Sequence, residues 1–269
     1  MDVSLSFSQK VQLTYRNGLR YLPLLKNLVS RELKKKYRQS FLGYAWCVLN
    51  PLLIMLILTI VFSRMFHNKI ENFPVYLCTG RLMFTFVTES ANQMLTSIVN
   101  NGRLMRKTRI PYYVFPLASM GSAVVNFLFQ LIALVIVLVF TSTLPTVHIV
   151  AFPLVCLEMF LFTFGLGMML AVAEIYVRDT GYLFGVATTA WMYLSALFYP
   201  LSVLPEFLQD GIRLLNPAYY FMEMARDIFL YHQWPGGEML LKGAIVAVLF
   251  TTGGLALYAK AKKQMILYV

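Results

Sequence analysis

Charge is the first thing this sequence lacks. Only 13% of its 269 residues are charged and just 12 are acidic, where a soluble domain is usually about 25% charged. With 59% hydrophobic residues and a mean hydropathy of +0.66, the chain reads as an integral membrane protein. Cysteine is scarce as well. Cys47, Cys78 and Cys156 stand far apart in apolar sequence, with no CxxC pair and no histidine beside them, so they read as buried thiols rather than a zinc site or redox pair. His67, His148 and His232 have no metal-ligating neighbours, which leaves no metal-ligand cluster. There is no GxxxxGK[ST], so the chain has no loop of its own to cradle nucleotide phosphates. HExxH and GxSxG are absent too, and the acids are scattered rather than paired. Met1 to Leu42 holds no apolar core of signal-peptide type, so the first apolar run is expected to stay in the mature protein. No internal repeat or low-complexity linker is present.

Long apolar runs bracketed by cations fill the remainder. Tyr44 to Ser63 runs for twenty positions without a charge, and a helix of about 20 apolar residues crosses the hydrocarbon layer. Spans are expected at about residues 43–63, 73–98, 112–143, 149–176, 181–199 and 239–259. Residues 202–234 are apolar but carry six charges and break at Asn216-Pro217. Crossing is too costly for such a segment, and two short helices forming a re-entrant outer hairpin fit it better. Before the first span, Leu24, Leu25, Leu28, Val29, Leu33 and Tyr37 recur at helical spacing among Lys26, Arg31, Lys34, Lys35 and Arg38. This is the pattern of an amphipathic helix lying in the interface. The expected fold class is therefore all-α integral membrane, with six transmembrane helices. An interface arm (1–42) precedes the transmembrane domain (43–260), and a short cytoplasmic tail (261–269) follows it.

The net charge of +11 invites a nucleic-acid reading, but the cations bracket apolar spans instead of covering a polar face. Of 23 lysines and arginines, seventeen fall on one side of the expected topology, five on the other, and Arg81 lies within a span. The positive-inside rule then puts both termini in the cytoplasm.

Several details of wording are specific. Arg31 to Pro51 reads RELKKKYRQSFLGYAWCVLNP, a basic-Tyr-Arg-x-Ser stretch followed by Leu-Gly, Tyr-x-Trp and an early proline. Asn100 to Pro111 is a basic, acid-free loop, and Val177-Arg178-Asp179 makes a very short turn. Phe198-Tyr199-Pro200 and Leu215-Asn216-Pro217 precede Glu223 and Arg226. From about Leu28 to Lys262 this resembles the permeases of the polysaccharide-exporting ABC-2 type family, which export O-antigen, teichoic acid and capsule chains.

The resemblance implies a transport subunit and not an enzyme. It implies a second copy of the chain and two separate ATPase subunits that carry the ATP and magnesium, with no cofactor or metal on this chain. It implies a coupling helix over residues 101–110, with Asn101, Arg103, Arg106, Lys107 and Arg109, aided by Arg178 and Asp179. Simple cytoplasmic anchoring explains the same cations. It further implies that Arg31, Lys34, Lys35, Lys36 and Arg38 engage a lipid pyrophosphate at the interface. A glycan path and gate would use Trp46, Tyr182, Trp191, Tyr193, Phe198, Tyr199, Asn216, Tyr219, Tyr220, Glu223 and Arg226. Aromatic rings stack on sugar faces, yet an interfacial belt accounts for the same aromatics. Arg81 departs from the family, which has an uncharged residue there. The rival readings are an ABC-2 permease for a drug or lipid, a secondary transporter using Arg81, Glu89 or Glu158, and a membrane-embedded transferase.

Overall fold

A computed structural model describes residues 21–35, 41–66, 70, 72–107, 110–262 and 264–265. Among them every regular element is a helix. Helix α1 covers residues 21–35. A single 3₁₀ turn, Gly43–Ala45, leads into α2 (Trp46–Phe66), and then come α3 (Phe73–Asn100), the six-residue α4 (Gly102–Lys107) and α5 (Val114–Phe140). A second 3₁₀ turn, Val147–Ala151, opens α6 (Phe152–Tyr176). Then follow α7 (Thr180–Tyr193), α8 (Glu206–Leu215), α9 (Pro217–Phe229) and α10 (Gly237–Ala261).

Among the described residues, four stretches are long and apolar enough to cross a membrane: Gly43–Phe62, Val114–Phe140, Val147–Tyr176 and Gly237–Ala261. Helix α3 has the length, at 28 residues, but interrupts its apolar sequence with Arg81, Thr85, Glu89 and Gln93.

Helix α7 differs from expectation. It has 14 residues and stops at Tyr193, where an unbroken span to residue 199 was expected. Its rise of about 21 Å falls short of the roughly 30 Å hydrocarbon layer. The chain unwinds through an elbow that holds Ala196 at φ +50°, a left-handed conformation that side chains with a Cβ rarely adopt.

The helices assemble around α6, which packs along α10 on one side and α3 on the other. Helix α3 in turn carries α5 and α9. The α6–α10 contact depends on glycine. A Cβ at Gly165 would lie 2.2 Å from the Phe250 carbonyl carbon, and one at Gly254 would lie 2.5 Å from the Gly165 carbonyl oxygen. Backbones this close are what small residues permit between helices in lipid. Phe162 fills the same seam, 4.8 Å from Phe250 between ring centres.

Helix α1 lies against this body. Leu28 is buried with Ile98, Met105, Val114, Phe115 and Ala118, and Leu24, Leu25 and Val29 pack beside it. Its apolar face therefore meets protein at one end of α3, α5 and α6, where the hydrophobic pattern alone suggested lipid. The pattern cannot tell the two apart, since lipid tails and buried side chains are equally apolar.

Candidate functional site

At the end of the bundle that carries α1 and α4, polar side chains gather between helices. Arg31 donates from Nη2 to Asn101 Oδ1 at 2.6 Å, and Asn101 Nδ2 donates to the Ser97 carbonyl at 2.7 Å. Helix α4 starts directly after this node. Its Met105 is buried against Leu28 and Phe115, while Arg103 is exposed. A short helix so anchored holds Arg103 outward. Of the other expected coupling residues, Arg109 and the side chains of Arg106 and Lys107 lie outside the described residues. Arg178 and Asp179 are exposed in the turn between α6 and α7, which Glu174 closes by accepting from the Gly181 N–H at 3.0 Å.

Beside this node is a cavity of about 630 Å³ between α1, α3 and α5. Arg31, Lys35, Gln93, Asn100, Ser119 and Asn126 are among its walls. Glu32 fixes α1 to α5 across it, accepting from Ser119 Oγ at 3.0 Å and from Ser122 Oγ at 2.9 Å. Of the expected pyrophosphate cluster, Arg31 and Lys35 line this vestibule and Lys34 is exposed. Lys36 and Arg38 lie outside the described residues. Sequence reasoning missed Glu32, the one acid in a run of cations; that isolation was the available signal.

At the opposite end the α7–α8 elbow is caged. Arg226 of α9 is completely buried, its guanidinium carbon 3.5 Å from the centre of the Tyr76 ring. It donates from Nη2 to the carbonyls of Ala196 (3.1 Å) and Leu197 (3.4 Å) and from Nη1 to Glu223 at 3.2 Å. Tyr76 Oη donates to the carbonyls of Ala196 at 3.0 Å and Tyr199 at 2.8 Å. Gly80 leaves the space for Arg226, since a Cβ there would stand 2.7 Å from Nη2.

Asn216 completes the cage. Its Oδ1 accepts from Trp191 Nε1 at 2.7 Å and caps α9 through the Tyr219 N–H at 3.2 Å. Its Nδ2 donates to the Leu194 carbonyl at 3.0 Å and to Ser195 Oγ at 2.9 Å. The Tyr199 hydroxyl bonds the Tyr193 carbonyl, and the Tyr220 hydroxyl that of Leu214. Where α9 ends, Gln233 donates to Asp227 at 2.7 Å, and burial pushes that carboxyl above its ordinary range.

The residues expected along a glycan path therefore divide. Phe198, Asn216, Tyr219, Tyr220 and Arg226 are buried, Trp191 and Tyr199 are half-buried, and Glu223 is the ion partner of Arg226. Trp46, Tyr182 and Tyr193 are exposed on α2 and α7. Tyr76, Gly80 and Ala196 were not singled out from sequence. The available signal was Arg226 itself, because an arginine in apolar sequence needs acceptors nearby. Replacing Arg226 with glutamine should destabilise the protein by about 3 kcal/mol, leaving buried carbonyls without donors. Lysine should rescue it poorly, since one ammonium cannot span the guanidinium's partners. Thermal unfolding of the purified variants checks this; an unchanged midpoint for both would mean that the elbow is held some other way.

The family model described as ABC-2 type transporter matches residues 23–230, from α1 to the end of α9. The chain belongs to the ABC-2 type transporter family. It is 30% identical over 250 residues to the O-antigen export system permease protein RfbA of Myxococcus xanthus, covering 93% of this chain and 96% of that protein. The RfbA protein of Klebsiella pneumoniae is 26% identical over 259 residues, with 94% and 96% covered. The polysialic acid transport protein KpsM of Escherichia coli is 20% identical over 242 residues, with 89% and 93% covered. The ABC-2 match takes in the vestibule, α4 and the caged elbow together.

Proposed function

We propose that this chain is the membrane permease subunit of an ATP-driven exporter that moves a lipid-linked polysaccharide across the bacterial cytoplasmic membrane. The near full-length likeness to O-antigen and polysialic acid export proteins carries the reading. The pump contains two copies of the chain and two ATPase subunits that bind ATP and magnesium. Both termini are cytoplasmic, six segments cross (the fifth as α7 together with the unwound residues 194–199), and α8 and α9 form a hairpin at the outer face. The exposed apolar faces of α2 and α7 support a second copy as partner, since no side chain of α7 is buried within one protomer.

Mechanistically, α4 receives the push of the closing ATPases and passes it to α3 and α1 through Asn101 and Met105. Arg31 and Lys35 at the vestibule, with the neighbouring lysines, attract the pyrophosphate of the lipid carrier, each cation adding about 1 kcal/mol at an anionic surface. Exposed Trp46, Tyr182 and Tyr193 stack on sugar faces along α2 and α7. Deleting the gene in its host should leave lipid-linked glycan inside the cell and none at the surface, with both restored by the wild-type gene. Surface glycan at wild-type level in the deletion strain would refute the proposal.

A further inference from the structure

Two consecutive residues of α1 reach opposite walls of the vestibule. Glu32 reaches α5, where Ser119 and Ser122 donate to its two carboxylate oxygens. Arg31 reaches the other way, to Asn101 between α3 and α4. Asn101 is the joint of those two helices. Its N–H donates to the Ile98 carbonyl, and its own carbonyl accepts from the N–H groups of Leu104 and Met105. The Arg31 hydrogen bond therefore ties α1 to the point from which α4 departs.

The two ties are not equally firm. Glu32 is half-buried, and each of its oxygens has a hydroxyl partner. Arg31 is exposed and bonds a neutral amide, and among the described residues it has no carboxylate partner. Its planar fork suits a phosphate, which offers it charged acceptors in pairs where Asn101 offers a single neutral one. Lys35, one turn further along α1, lines the same cavity. At about 630 Å³ that cavity falls within the usual range of small-ligand sites. Arg31 and Asn101 both border it, so a phosphate bound there competes with Asn101 for one guanidinium.

We propose that Arg31 is a switch: a lipid phosphate entering the vestibule draws its guanidinium off Asn101 and frees the α3–α4 joint, while Glu32 keeps α1 seated. The proposal rests on the export reading and adds how a loaded vestibule is signalled through α4 to the ATPase. The pyrophosphate of the lipid carrier and an anionic membrane lipid offer the same chemistry to Arg31. Linkage makes the effect reciprocal: whatever strengthens the Arg31–Asn101 bond weakens phosphate binding by the same factor.

The test uses the complex of this chain with its ATPase in phosphatidylcholine nanodiscs, titrated with a fluorescent polyprenyl diphosphate. Energy transfer from the protein's tryptophans gives the half-saturating concentration, and exchange of the Leu104 and Met105 amide hydrogens reports the joint. The probe should speed that exchange in the wild type and leave it unchanged in Arg31→Gln. Asn101→Leu removes the competing acceptor, so the half-saturating concentration should fall about two- to tenfold. Asn101→Asp gives Arg31 an ion partner, so it should rise about two- to fivefold. A merely structural role would move both variants the same way. Shifts of one sign, no shift in either, or a wild-type joint indifferent to bound probe would overturn the switch. Discs doped with phosphatidylglycerol instead of the diphosphate separate the sources: faster exchange assigns the switch to membrane lipid, and unchanged exchange assigns it to the carrier. If the switch fails while lipid-linked glycan still stimulates ATP hydrolysis, the export reading stands. A complex indifferent to that glycan would overturn the export reading as well.

Discussion

Gly165→Leu should all but abolish folded protein. The Cβ that leucine adds has nowhere to go: it would meet the main chain of Phe250 at 2.2 Å, and the Thr251 nitrogen lies 2.4 Å away. Backbone cannot rotate aside as a side-chain tip can, so α6 and α10 must separate. Separation would break the Thr251 Oγ1 bond to the Leu161 carbonyl (2.8 Å) and the Phe162–Phe250 packing. Overpacking of this kind costs about 3 kcal/mol or more, and here it strikes the helix around which the bundle is built. Gly211→Leu, on α8, is the control. Its Cβ meets nothing within 4 Å, so stability should hold or improve slightly through helix propensity. Size-exclusion profiles and thermal midpoints in detergent separate the two. A normal midpoint for Gly165→Leu would mean that α6 and α10 do not touch as described.

The second large effect concerns α4. Charge reversal at Arg103, Arg106 and Lys107 should cut export tenfold or more, because like charges set against an interface cost several kcal/mol. The variant should lose its ATPase on co-purification, or keep it and hydrolyse ATP without exporting. Insertion should survive, as the Arg31–Arg38 cluster and Lys260, Lys262 and Lys263 still hold the topology. Wild-type export at equal membrane abundance would remove α4 from the coupling path.

Much of the architecture was legible because its causes are local. The break between α8 and α9 falls at Asn216-Pro217, where a proline starts one helix and the asparagine caps it. Helix α4 is bounded by Asn101 and followed by Pro111, signals within a dozen residues of one another. The end of α7 was not legible. Residues 194–199 contain no glycine or proline, and the elbow is held by Tyr76, Asn216 and Arg226, which lie 20 to 120 or more positions away.

The same limit applies to the site. Arg31 and Lys35 stood out as cations, but the vestibule they line exists because Glu32 reaches Ser119 and Ser122 on α5. Arg81 and Glu89 stood out as intramembrane charges without a task. Only the packing of α2 and α5 against α3 shows that both line one small cavity. Periodicity reports which face of a helix is apolar; it does not report what covers that face.

On the proposed function, this chain carries a glycan across the membrane when a partner hydrolyses ATP. Inside-out proteoliposomes holding the purified chain, its ATPase and lipid-linked glycan test it most directly, with an impermeant glycosidase added outside. ATP should make the glycan resistant to the enzyme, and neither the ATPase alone nor the Arg103, Arg106 and Lys107 charge-reversal variant should confer this protection. Steady ATP hydrolysis with the glycan left fully digestible would contradict it.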